Sequence, residues 1–221
     1  MAIIVTLALR NSSDPVYRGI RLSVWLEGYN RYSQKPLKVR EANHEAASEA
    51  VRHLGTNAIP RLLSMLRARD SDSTRRLIDL LRKQHFIKIP PVPSDDKNYE
   101  AEYAFIILGA SASNAVPELV RIYGMNRSLD ARRAILTSLE YIGPAARDAV
   151  PFLLQELTNT NPILRAESIR ALGAIHSQPE IVVPSLTKYL HDADVRSDAG
   201  NSLALFGVSA RSEPTEVLKP E

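Results

Sequence analysis

Eight basic side chains stand between positions 61 and 88: Arg61, Arg67, Arg69, Arg75, Arg76, Arg82, Lys83 and Lys88, against only Asp70, Asp72 and Asp79. Guanidinium and ammonium groups at that density bind anions, whether acidic protein segments or phosphates. The rest of the chain sharpens the contrast. Residues 1–88 hold 16 Lys/Arg against 8 Asp/Glu, and residues 89–221 hold 12 against 17, within a net charge of only +3. Such asymmetry steers an anionic partner to one end of a molecule. The competing reading is that these side chains solvate exposed helix faces.

Other chemistry finds less support. The five histidines, His44, His53, His85, His176 and His191, are dispersed, and none forms the His-x-x-x-His pair of a helical zinc site. With no cysteine, the chain has no disulfide, no thiolate nucleophile and no cysteine-containing metal centre. No Gly-x-Gly-x-x-Gly, P-loop or Gly-x-Ser-x-Gly is present. No catalytic, cofactor-binding or metal-ligating residue is therefore assigned, and the chain is read as a non-enzyme.

The elements that position the basic residues are set by a repeat. A proline follows a short apolar or polar lead four times: Asn57-Ala-Ile-Pro60, Asn114-Ala-Val-Pro117, Asp148-Ala-Val-Pro151 and Ile181-Val-Val-Pro184. The last three prolines are 34 and 33 residues apart. Spacing of that order marks stacked helical pairs, each shielding the apolar face of the next. After each proline, apolar residues recur at intervals of three and four, as in Leu62, Leu63 and Leu66 or Leu153, Leu154 and Leu157. That period makes an amphipathic second helix. Asn57, Asn114 and Asp148 are placed to cap it. A first helix precedes it in each unit, ending at Gly55, Gly109, Gly143, Gly173 or Gly207, where glycine takes the left-handed conformation at little cost. In the fourth unit the second helix starts earlier, at Ser177, with Pro179 in its first turn.

The composition, 44% hydrophobic and 24% charged, is that of a globular protein, so the repeats have enough apolar surface to bury. The fold class expected is an all-α superhelix of about four to five helical pairs with an N-terminal cap helix. Its parts are an apolar arm or linker (1–16), the cap helix (17–36), the repeat array (37–207) with an insertion at 70–97, and a partial repeat or tail (208–221). Leu22, Trp25 and Leu26 share one face of the cap helix, which is expected from about Ile20 to Tyr29. The last first-helix lacks a full partner, which leaves an apolar face thinly covered and offers self-association through the C-terminal end. Arg132, Arg133, Arg165 and Arg170 of the first helices are expected to pair with carboxylates of neighbouring units.

These units resemble HEAT repeats, of the short variety also found in phycobilisome-lyase proteins. The resemblance is carried by Arg132-Arg-Ala-Ile-Leu-Thr-Ser-Leu-Glu-Tyr-Ile-Gly143 with Asp148-Ala-Val-Pro-Phe-Leu-Leu154, and by Leu164-Arg-Ala-Glu-Ser-Ile-Arg-Ala-Leu-Gly173 with Val183-Pro-Ser-Leu186. It covers about 40–207 and implies a binding or scaffolding role. The whole chain also resembles bacterial HEAT-repeat proteins in which an apolar N-terminal anchor precedes a phrase like Tyr17-Arg-Gly-Ile-Arg-Leu-Ser-Val-Trp-Leu26. That implies an exported or membrane-tethered protein. By itself, the run Met1–Leu9 is far shorter than the ~20 residues of a bilayer span, so it reads as a buried arm or as the end of a longer segment.

The functional expectation is a protein-binding scaffold using the basic patch. Nucleic acid or another polyanion is the alternative ligand of the same patch, although aromatics are only 6% of residues and no nucleic-acid motif is present. A lyase-like or glycosylase-like enzyme on the same fold is the third reading.

Overall fold

The structure, a computed structural model, describes residues 14–29, 36–68, 94–126 and 128–208. Its N-terminal cap is a hairpin followed by one short helix and a 3-10 turn (Glu27–Tyr29), which lie within the span of about Ile20 to Tyr29 expected for the cap helix but start two residues later. Strands β1 (Val16–Tyr17) and β2 (Ile20–Arg21) pair antiparallel, with Val16 opposite Arg21 and Tyr17 opposite Ile20. Arg18 and Gly19 between them have φ of 49° and 76°. A two-residue turn with both φ positive matches the twist of its strands, and this is what displaces the helix. Helix α1 (Leu22–Leu26) starts only where the Leu22 N–H bonds the Pro15 carbonyl at 2.8 Å. Leu22 and Leu26 are fully buried, while Trp25 is half-buried and donates its indole N–H to the Tyr17 carbonyl at 3.1 Å.

Among the described residues, four helical pairs and a fifth first-helix follow. The pairs are α2 (Leu37–Leu54) with α3 (Ile59–Leu66), α4 (Ser94–Leu108) with α5 (Val116–Met125), α6 (Leu129–Ile142) with α7 (Val150–Glu156), and α8 (Pro162–Ile175) with α9 (Pro179–Thr187). Helix α10 (Arg196–Leu205) has no second helix among the described residues. Helix α4 already begins at Ser94, so the last residues given to the insertion belong to the array. Successive first helices pack directly on one another, and α6 at the centre is surrounded so fully that even Thr137 and Ser138 are buried. The core runs the length of the array through side chains such as Leu62, Phe105, Leu119, Leu139, Leu172 and Leu203. Each buried leucine of this kind stabilises the fold by about 2 kcal/mol.

Three units share one corner. Gly55, Gly109 and Gly143 end the first helix with φ of 53°, 50° and 63°, and a 3-10 turn then runs straight into the second helix. Pro60, Pro117 and Pro151 are each the second residue of that helix. The capping expected of Asn57, Asn114 and Asp148 does not occur: all three are exposed within the 3-10 turn, and no side chain caps the helix. The reason is local. The N–H groups of Ile59, Val116 and Val150 already bond the carbonyls of Thr56, Ser113 and Arg147, so the turn supplies the acceptors a cap would offer. Side-chain caps appear where the chain breaks before a helix, at Ser128 and Asn161.

The fourth unit departs from the pattern. Helix α8 does not end at Gly173 but continues to Ile175, and His176 takes the left-handed turn with φ of 49°. Gly173 serves packing instead, because a Cβ there would lie 2.7 Å from the Ser202 side chain of α10. Helix α9 starts at Pro179, two residues later than the start at Ser177 expected, with Pro179 in its first turn as anticipated and Pro184 inside it. The thin cover expected over the last first-helix depends on residues 209–221, which lie outside the described residues, and the described outward face of α10 is largely polar. Arg196, Ser197, Asn201 and Ala204 are exposed there, with Leu205 the single large apolar side chain among them.

Candidate interaction surfaces

Of the eight basic residues, Arg69, Arg75, Arg76, Arg82, Lys83 and Lys88 lie outside the described residues. Arg61 and Arg67 are described, and the structure sends them to different neighbours. Six residues apart on or just past α3, they are separated by roughly 120° around the helix axis.

Arg67 reaches across to Glu118, in the first turn of α5, and Arg121 grips the same carboxylate from one turn further on. The Arg121 Nε and Nη2 donate to Oε2 and Oε1 at 2.6 and 2.5 Å. These bonds, from Arg121 first and Arg67 second, pull the Glu118 carboxyl down to about 2. Two guanidiniums thus share one carboxylate and leave a net positive charge bridging two units. Both are accessible, at 43% and 55% side-chain exposure. With five N–H donors each, the pair has capacity beyond Glu118. Sequence reasoning missed Glu118 and Arg121; their i,i+3 spacing directly after Pro117 was the available signal.

Arg61 turns the other way, into the junction between cap and array. Its Nε lies 3.7 Å from Asp14, whose carboxylate also accepts the Ser23 N–H at 3.2 Å and hydroxyl at 2.6 Å. Beside it on α4 stands Glu100, only 4% exposed, its carboxyl pushed up to about 8 by burial first and then by Glu27 and Asp96. Neither Arg61 Nε nor Glu100 Oε1 has a hydrogen-bond partner.

The first-helix arginines form a ladder along the array. Arg133 reaches Glu102 of α4 at 3.3 Å. Arg170 meets Glu167 at 2.6 Å, Asp198 of α10 at 2.7 Å and Glu140 of α6 at 3.8 Å, tying three units together. Burial raises the Glu140 carboxyl, against the pull of Arg170. Arg165 pairs with Asp192 and Asp194. Arg132 does otherwise: it donates to the Asn126 carbonyl at 2.8 Å and lies 4.9 Å above the Tyr123 ring. Second helices are tied as well, Tyr123 to Glu156 and Tyr189 to the Leu157 carbonyl.

The described histidines near aromatics pack as aromatics. His53 lies on Tyr17, His176 on Phe206, each at 4.5 Å, and His44 meets Tyr29 and Tyr103 at 5.1 and 5.6 Å. His44 also lines an open cavity of about 400 Å³ with Arg40, Glu41, Glu45 and Ser48 of the same helix. Among the described residues no group of three or more His, Asp or Glu is placed to hold a metal ion.

Residues 116–204 match the family of HEAT repeats. Among solved structures, the complex of CpcE and CpcF of phycocyanin lyase from Nostoc sp. PCC7120 is similar over 82% of this chain and 97% of that one, at 15% identity and a TM-score of 0.49. An engineered protein is similar over 83% and 78% of the two chains, at 18% identity and a TM-score of 0.38. No curated protein matches the sequence.

Proposed function

Given that residues 116–204 match the HEAT-repeat family and that helical pairs stack along the described array, we propose that the chain is a non-enzymatic scaffold that binds an acidic segment of a protein partner on its second-helix row. One observation carries the reading: Arg67 and Arg121, exposed and from adjacent units, share the single carboxylate of Glu118 and retain donors for another anion. A planar guanidinium pair of this kind suits a carboxylate-bearing peptide. The row is continuous, since Tyr123 and Tyr189 lock successive second helices in place. Arg69, Arg75, Arg76, Arg82, Lys83 and Lys88 would extend the same site.

Photo-crosslinking from position 121 in the protein's own cells tests this. The expected result is a protein adduct that disappears in the R67E/R121E double variant. Equal capture from position 141, on the first-helix row, would overturn the reading. Capture of nucleic acid, with affinity falling steeply with salt, would favour the polyanion alternative. A chromophore that co-purifies with the chain would favour the enzyme.

A further inference from the structure

Among the described residues, charged groups gather where the N-terminal cap meets α3 and α4, and two buried polar atoms there, Arg61 Nε and Glu100 Oε1, lack hydrogen-bond partners. Four carboxyls lie there, Asp14 and Glu27 from the cap and Asp96 and Glu100 from α4, against Arg61 of α3 and Lys97 of α4. Asp14 is already committed, with its side chain 2% exposed, to Ser23 and Arg61. Glu100 is almost as deeply buried, and its Oε1 is unpartnered. Arg61 holds Asp14 only loosely, at 3.7 Å, and its Nε is unpartnered too. Arg61 therefore engages one of the two buried carboxyls, while Glu100 feels Lys97 of its own helix first and Arg61 second.

We propose that Glu100 is a proton-controlled latch for the N-terminal cap, neutral when the cap is closed and ionised when it is released. With Glu100 protonated, Arg61 stays with Asp14 and the segment 14–29 is held down. Ionisation places a second anion beside Arg61, drawing it from Asp14, and sets like charge against Glu27. The cap then loses its buried tether, and the seats of Leu22 and Leu26 on α2 and α4 open. An exposed apolar end of a helical-repeat array is a place for another chain to dock.

Among the described residues, few groups act on Glu100. They are Glu27 from the cap, Arg61 from α3, and Asp96 and Lys97 from its own helix. Of the other helices on α4, α2 presents His44 to Tyr103, and α6 presents Arg133 to Glu102. The cap's second tether, Tyr17 and Arg18 on Glu49 of α2, does not involve Glu100. A carboxyl held near 8 passes from mostly neutral to mostly charged between pH 7 and pH 9.

Amide hydrogen exchange of residues 14–29 in the full chain, corrected for intrinsic rates, tests the latch at those two pH values. Protection of the cap should fall about tenfold from pH 7 to pH 9, the ratio of the neutral fractions, while α6 stays unchanged. Glu100→Gln should abolish that fall, and His53→Gln, beside Tyr17, should keep it. A cap equally protected at both pH values, or a fall that survives Glu100→Gln or vanishes in His53→Gln, would overturn the proposal. The wild-type chain gives an independent reading through the carboxyl 13C resonance of Glu100. Its titration midpoint should coincide with that of cap release, and midpoints more than a pH unit apart would equally sink the latch.

Discussion

At Gly173 the backbone of α8 runs so close to α10 that a Cβ would lie 2.7 Å from the Ser202 side chain and 3.0 Å from its Cα. Alanine is the better helix former by about 1 kcal/mol, but overpacking of this kind costs about 1–3 kcal/mol. Gly173→Ala should therefore be destabilising in urea denaturation, and Ser202→Gly should restore much of the loss. The position's glycine was visible in the sequence; its role was not, because the reason for it lies in another unit. Glu100 is a second case. Its carboxyl rises from about 4.5 to about 8 on folding, so the folded chain binds the extra proton between those values. That stability is present in full below pH 4.5 and is lost as pH rises through 8. Glu100→Gln should match the wild type in melting temperature near pH 4 and exceed it at pH 9. Nothing in the string Lys97-Asn-Tyr-Glu100 distinguishes this acid from an exposed one.

Among the elements, α8 bears the most connections. Arg170 touches carboxylates of α6, α8 and α10, and Glu167 beside it is 7% exposed. Arg170→Ala leaves those acids without their cation, which costs about 1–3 kcal/mol, discounted toward the lower end because Arg170 itself keeps some access to solvent. Glu118→Ala removes an exposed pair and should cost less than about 1 kcal/mol. Equilibrium denaturation of the two variants side by side measures that difference. Pairing of Arg133, Arg165 and Arg170 was legible from their recurrence in the first helices. Arg132 followed the same recurrence and went to a carbonyl and the Tyr123 ring instead, since one helical step turns it toward the preceding second helix. The failed caps at Asn57, Asn114 and Asp148 have a like cause: residue type signals a cap, but the preceding 3-10 turn had already met the need.

For the whole molecule, stability is a sum over neighbours, so the ends matter more than the middle. Helix α10 covers the α8 face, with Ala199, Ser202 and Leu203 buried and the Ser202 hydroxyl donating to the Ile169 carbonyl at 3.0 Å. A chain ending at His191 should expose that face. Expected are increased binding of a hydrophobic dye and self-association by size-exclusion chromatography, with helical circular dichroism otherwise retained in proportion. A monomeric truncated chain of unchanged dye binding would show that α10 is not a terminal cover. By itself the sequence determined the stacked helical pairs and the placing of Pro60, Pro117 and Pro151 near helix starts. Those features follow from periodicity and backbone preference, which act within a few residues. Only the tertiary structure decided that Arg61 and Arg67 part company, that Glu118 and Arg121 complete an exposed cationic pair, and that Glu100 is buried among charges from the cap and α3. The free energy of a charge depends on which groups from other units surround it, and the linear pattern carries no record of them.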